Sequence, residues 1–251
     1  MKILYLVSIL FLFIACSSTP KGDYSRSHID RPYALPDDVA SVEFGASGYH
    51  TQVTEVDDIS TSSLDVSSTD YAMPLLRFEQ GINENVSWLY PLGVKWGVLR
   101  SREHNLGISF ATLFLYTQYR IDYWYRLSEK VSLRPYFSSD QMDLLIFNTR
   151  EDVIGLDILY QYTSNLALSL NLGSGKYEGY SPFFDQVLED ISGEEEDDIK
   201  VEGDIIKYGL GLIYSFHERW DLRTSLAQEI IDYSDFSTKR TELDLSLVYF
   251  Y

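Results

Sequence analysis

The chain has 251 residues, enough for one large domain, and a formal charge of −18 that opposes the phosphates of DNA and RNA and the headgroups of anionic lipid. One cysteine excludes an internal disulfide and a cysteine-based metal centre. Twenty tyrosines and four tryptophans suit a β protein, and above all one that needs aromatics at two membrane interfaces.

The chain begins with Lys2 and an apolar run over 3–15 broken only by Ser8. That run has the length of a secretory signal core and falls short of the ~20 residues a spanning helix needs. It ends Phe13-Ile14-Ala15-Cys16, followed by Ser17-Ser18. This resembles the lipobox of bacterial lipoproteins, with Phe13 where leucine is usual, and implies removal of 1–15 and lipidation of Cys16. Ordinary cleavage after Ala15, leaving Cys16 incidental, is the alternative. Residues 16–40 lack periodicity and contain Pro20, Pro32 and Pro36, so they read as a flexible tether ahead of a folded domain over 41–251.

From there the apolar period is two, the mark of strands. A first strand is expected over 42–54, then a Ser/Thr/Asp-rich loop over 55–70. A second covers 71–81, a turn Asn83-Glu84-Asn85, and a third 86–99, with Trp88, Tyr90, Leu92, Val94, Trp96 and Val98 on one face and a bulge at Pro91. Arg100 to Asn105 reads as a charged loop. The stretch 106–127 has no clear break, and 115–127 alternates best. A fifth strand covers 131–138. Residues 139–152 are ambiguous and could add a short hairpin. Further strands follow over 153–163, 166–177, 205–216 and 220–231.

The last eleven residues alternate throughout. Leu243, Leu245, Leu247, Tyr249 and Tyr251 share one face, against Glu242, Asp244, Ser246, Val248 and Phe250 on the other. Short turns near 83, 128, 164 and 217 alternate with longer links near 55–70, 100–105, 139–152, 178–204 and 232–240. A final apolar-faced strand ending on an aromatic resembles the assembly signal of bacterial outer-membrane β-barrel proteins, and that class resemblance covers residues 41–251. It implies a single antiparallel up-and-down transmembrane barrel of about ten strands, with eight to twelve possible, and insertion by the barrel assembly machinery. An even strand number places both termini in the periplasm.

Alternation assigns an inward charge set: Arg77, Lys95, Arg120, Arg126, Lys207 and Arg223 with Glu79, Asp122, Asp157, Asp221, Glu229, Glu242 and Asp244. In a narrow lumen these are expected to pair as a structural filling, or to line a small polar pore or ligand site. The acidic run 185–204 lacks the spacing of a calcium loop and reads as a solvated external loop. Gly173-Ser174-Gly175-Lys176 lacks the spacing of a phosphate loop. His50, Glu103 and His104 are candidates for an outer rim, with His217 in a turn and His28 in the tether, but no spacing defines a triad.

The expectation is a monomeric, lipid-anchored outer-membrane barrel with a structural, passive-transport or surface-exposed role. It needs outer-membrane lipid and neither cofactor, metal nor nucleic acid, and it is not an enzyme. A tethered periplasmic β-sandwich or lipocalin-like binder, whose apolar faces would point inward, is the first rival, and a rim-located hydrolase the second.

Overall fold

A computed structural model describes residues 27–37, 39–55, 68–90, 92–101, 103–113, 116–144, 147–180, 200–233 and 236–251. The signal segment, Cys16 and most of the acidic run lie outside the described residues. The described chain forms β1 Ala40–Glu55, β2 Ser68–Asn83, β3 Val86–Tyr90, β4 Leu92–Arg100, β5 His104–Leu113, β6 Tyr116–Arg126, β7 Val131–Leu144, β8 Phe147–Thr163, β9 Leu166–Tyr180, β10 Lys200–His217, β11 Trp220–Tyr233 and β12 Phe236–Phe250. Each pairs antiparallel with its neighbours in sequence, and β12 returns to β1 with Ser41 opposite Phe250. The result is a closed barrel with no outer edge along its closing seam.

The barrel has twelve strands where about ten were expected, and both additions have a physical origin. The expected strand over 86–99 divides between Tyr90 and Leu92: β3 and β4 fold back on each other, with Val86 opposite Trp96 and Leu89 opposite Gly93. The bulge expected at Pro91 lies outside the described residues, and a residue without an N–H is a poor member of an interior ladder. Even-numbered residues face outward on both sides of the turn, which is why alternation alone reads straight through it. The expected strand over 106–127 divides around 114–115 into β5 and β6, with Leu113 opposite Tyr116. Here the outward parity changes, from Ile108 and Phe110 to Tyr119, Ile121, Tyr123 and Tyr125. Residues 139–152 add no hairpin and instead lengthen β7 and β8, which pair from Val131–Tyr160 to Leu144–Phe147.

The reversal between β3 and β4 moves the 101–103 connection to the end that carries the turns at 84–85, 127–130, 164–165 and 218–219, together with both ends of the barrel sequence. This is called the turn end. The opposite, loop end carries the two long connections, 56–67 and 181–199.

The outer wall is apolar and exposed: Ile154 is 70% exposed, Leu210 and Leu92 64%, Leu243 56% and Leu245 55%. A soluble β-sandwich or lipocalin turns such faces inward; here they cover the outside of a closed sheet, as lipid requires. Inside, the wall is thinned where aromatics cross it. A side chain at Gly155 would overlap the ring of Tyr136, which reaches past it towards Gly173.

Residues 16–40 were expected as a free tether. Of these, 27–37 are packed into the turn end of the lumen. The backbone of Val39 accepts from Gly81 N at 2.9 Å, and Ala40 and Tyr251 exchange hydrogen bonds at 2.8 and 2.9 Å. Leu35 and Val39 bury against Val248 and Phe250, the inward face of β12. Burial of these four apolar side chains against one another explains why this stretch docks instead of remaining in solvent.

Candidate functional site

The lumen is built as a stack of ion pairs standing on the N-terminal plug. At the floor, Arg31 forks onto Asp221, with Nη2 donating to Oδ1 at 3.1 Å and to Ser215 Oγ at 3.2 Å. Ser215 Oγ also donates to Asp221 at 2.6 Å. Both charges are nearly sealed from solvent, at 9% and 1% exposure. A buried pair of this kind holds only with its remaining polar atoms satisfied, and Ser215 does that here. His28 sits beside it: its backbone N–H donates to Gln161 Oε1 at 2.8 Å and its Nε2 lies 3.2 Å from Ser215 Oγ. Burial, and then the charge of Arg31, push the His28 imidazole down to about 3, so it is neutral when docked. Asp30 pairs with Arg126. Tyr33 lies where a side chain at Gly107 would stand, with Lys95 Nζ 5.9 Å from its ring centre. Burial and the nearby Asp122 carboxylate raise the Tyr33 phenol above its usual range.

Above the floor, Arg120 bonds Asp122 at 2.9 Å and Asp157 at 3.0 Å, and Arg134 bonds Asp157 at 2.9 Å. The two guanidiniums lie over Tyr136 and Trp124, at 4.0 and 4.9 Å. Asn171 closes the group by donating to Asp157 and to Tyr136 OH. Nearer the loop end, Lys207 bonds Glu151 at 2.7 Å and also Glu229, while Arg240 bonds Glu229 at 2.7 Å. Lys95 bonds Glu79 at 2.7 Å, and Ser87 donates to the same carboxylate. Glu242 pairs by hydrogen bond with Tyr49, and Asp244 accepts from Ser225 at 2.9 Å.

All thirteen charges assigned inward by alternation stand in these groups or beside them. Arg77 and Arg223 are the loosest, at 3.8 and 3.9 Å from Glu43, and Arg223 also lies 3.7 Å from Asp221. Sequence reading missed Arg31, Glu43, Arg134, Glu151 and Arg240. Glu151 and Arg240 fell in stretches read as loops, and Arg31 in the expected tether, where no periodicity marks a face. Glu43 and Arg134 were in phase and legible.

The histidines do not assemble a rim site. His50 meets Asp70 at 2.6 Å at the loop end, whereas Glu103 and His104, whose Nδ1 is 2.7 Å from Tyr123 OH, stand at the turn end. Among the described residues no group of three or more His, Cys, Asp or Glu is placed to hold a metal ion.

No family model and no curated protein matches the chain. Solved structures do. The attachment invasion locus protein Ail of Yersinia pestis covers 86% of this chain and is itself covered fully, at 12% identity and a TM-score of 0.33. Neisserial surface protein A covers 84%, with 97% of its own length matched, at 11% and 0.33. The outer membrane protease OmpT of Escherichia coli covers 89% and is covered fully, at 10% and 0.43. At such identities and TM-scores the architecture rests on the chain's own strand register and outward apolar face.

Proposed function

We propose that this chain is an integral outer-membrane β-barrel whose lumen is stoppered at the turn end by its own N-terminal segment. The observation that carries this reading is the buried Arg31–Asp221–Ser215 contact inside a closed sheet with an apolar exterior. Passage through the lumen then depends on displacing residues 27–37, and the role is non-enzymatic: a structural or conditionally open barrel. The protein acts as a monomer in outer-membrane lipid. It is inserted by the barrel assembly machinery from the Leu243, Leu245, Leu247, Tyr249, Tyr251 face, and is held additionally by lipid on Cys16, with both termini on the periplasmic side.

Two measurements test it. Membrane-extracted protein should migrate differently on a detergent gel before and after boiling. In planar bilayers the intact protein should show little conductance and a variant lacking residues 27–37 should show discrete channels. Free conductance by the intact protein, or no change on removing the segment, would sink the stopper; absence of a boiling shift would sink the barrel.

A further inference from the structure

Among the described residues the wall of the closed barrel has one stretch of strand edge without a partner. β3 has only five residues, about 17 Å of strand, which at a tilt of ~40° covers ~13 Å of a membrane band ~25 Å tall. It pairs with β2 up to Phe78 opposite Tyr90 and then turns back. β2 continues through Arg77, Leu76, Leu75, Pro74 and Met73 to Ser68, paired with β1 alone. Among the described residues nothing pairs with its other edge there. That edge lies within the apolar band, because Pro74 is opposite Ala46 and Ala46 is opposite the exposed Leu245. Unpaired backbone in lipid is costly unless something covers it.

The side chains around this gap differ from the rest of the lumen. Elsewhere the inward face is mostly polar and paired, and its apolar patch of Tyr136, Val153, Ile205 and Ile231 is buried; here it carries Met73, Leu75 and Leu89, with Met73 52% exposed. Leu76, on the lipid side of the same edge, is 60% exposed. At the base of the gap stands Arg77, 72% exposed, whose one ion pair among the described residues is stretched to 3.8 Å from Glu43. Glu43 is meanwhile hydrogen-bonded by Ser246 at 2.6 Å and shared with Arg223. The guanidinium therefore keeps its forked donors available beside an apolar surface that runs from lipid into lumen.

We propose that the gap between β2 and the β3–β4 hairpin is a lateral site for a single-chain membrane amphiphile with a carboxylate head. Arg77 takes the head in a two-bond contact, the geometry a guanidinium makes best with a carboxylate, and the alkyl chain lies along Met73, Leu75 and Leu76. One available cation suits a single negative charge, and apolar residues on both faces of the edge suit a chain that passes between them. The inference rests on the barrel reading and is independent of the stopper.

The test uses the full mature chain folded in non-ionic detergent, with a fluorescent long-chain carboxylate and its uncharged alcohol analogue as probes. Each sample is first checked for its boiling shift, so a failed fold is seen separately from a failed site. Saturable binding of the carboxylate is expected, at least about tenfold tighter than the alcohol. Arg77→Ala should erase that difference with the boiling shift intact, and Arg77→Lys should restore part of it. Equal affinity for the two probes, unchanged binding in Arg77→Ala, or a dimer whose binding edge resists the carboxylate would each overturn the proposal. The last outcome would assign the edge to a second copy of the chain.

Discussion

The residue with most resting on it is Asp221. It is 1% exposed and is held by Arg31, by Ser215 and, more distantly, by Arg223. Arg31→Ala leaves that carboxylate sealed in with a weaker partner, which should weaken docking of 27–37 by the lower end of the ~3–5 kcal/mol seen when buried pairs lose one member. Limited proteolysis near Arg31's neighbours should read this as faster cleavage between residues 27 and 37, with the boiling shift kept. His28 supplies a pH dependence of known sign. Docked, its pKa is about 3; released, it returns to the ordinary 6.5. The released form therefore binds the proton first. Docking contributed by this group is complete above pH 6.5 and falls about tenfold per unit as the pH drops towards 3. The groups facing it, Arg31, Arg223, Asp221 and Ser215, oppose any gain of charge in sum. Protease sensitivity should rise from pH 7 to pH 5, and His28→Gln should flatten that rise. A wild-type profile that is flat over the same range would remove His28 as the cause.

Among the strands, the two faces of β9 should respond differently. Leu168 is exposed to lipid, and Leu168→Arg should cost ~2–4 kcal/mol near mid-membrane and impair assembly. Ser169 faces the lumen, close to where a side chain at Gly211 would stand, so Ser169→Arg should be milder, read as boiling shift in equal expression. Gly155→Ala should cost ~1–3 kcal/mol by pushing Tyr136 off its path across the wall, lowering the urea midpoint of the folded band. How much of this was legible depends on what alternation can and cannot record. It gave the faces of β6, β9, β10 and β12, because a lipid wall demands strict period two. It could not see the reversal between β3 and β4, since Tyr90 and Leu92 both face outward whether the chain goes straight or doubles back. The change of parity between Phe110 and Tyr119 is written in the sequence, but with no turn residue to fix its place 106–127 read without a break. Docking of 27–37 had no signature at all, because a segment without regular structure has no period, and its partner Asp221 lies 190 residues away.

As a whole, the molecule separates its charges by depth. Carboxylates lie against the wall, as with Asp122 at 2%, Glu229 at 8% and Glu43 at 12%, while the longer basic side chains reach over them, as with Arg134 at 30% and Arg223 at 37%. An acidic chain thus presents guanidinium and ammonium groups to the space inside its barrel. Salt should screen the exposed pairs more than the sealed floor, so docking of the segment should persist at ionic strengths that loosen Arg77. Protection of residues 27–37 from protease at 1 M salt would meet that expectation, and its loss would place the segment's hold in the exposed pairs instead.

β12 has a consequence for how the protein is made. Its outward face carries the exposed Leu243 and Leu245, and its even residues Val248 and Phe250 seat Leu35 and Val39. Ser41 meets Phe250 only across almost the full sequence, so the seam must be the last ladder to form. The N-terminal segment therefore lacks its apolar seat, Val248 and Phe250, until the C-terminal strand arrives. During biogenesis the stopper is therefore incompletely seated until the cylinder closes, and a single lesion near Phe250 damages the closing of the cylinder and the sealing of its mouth together.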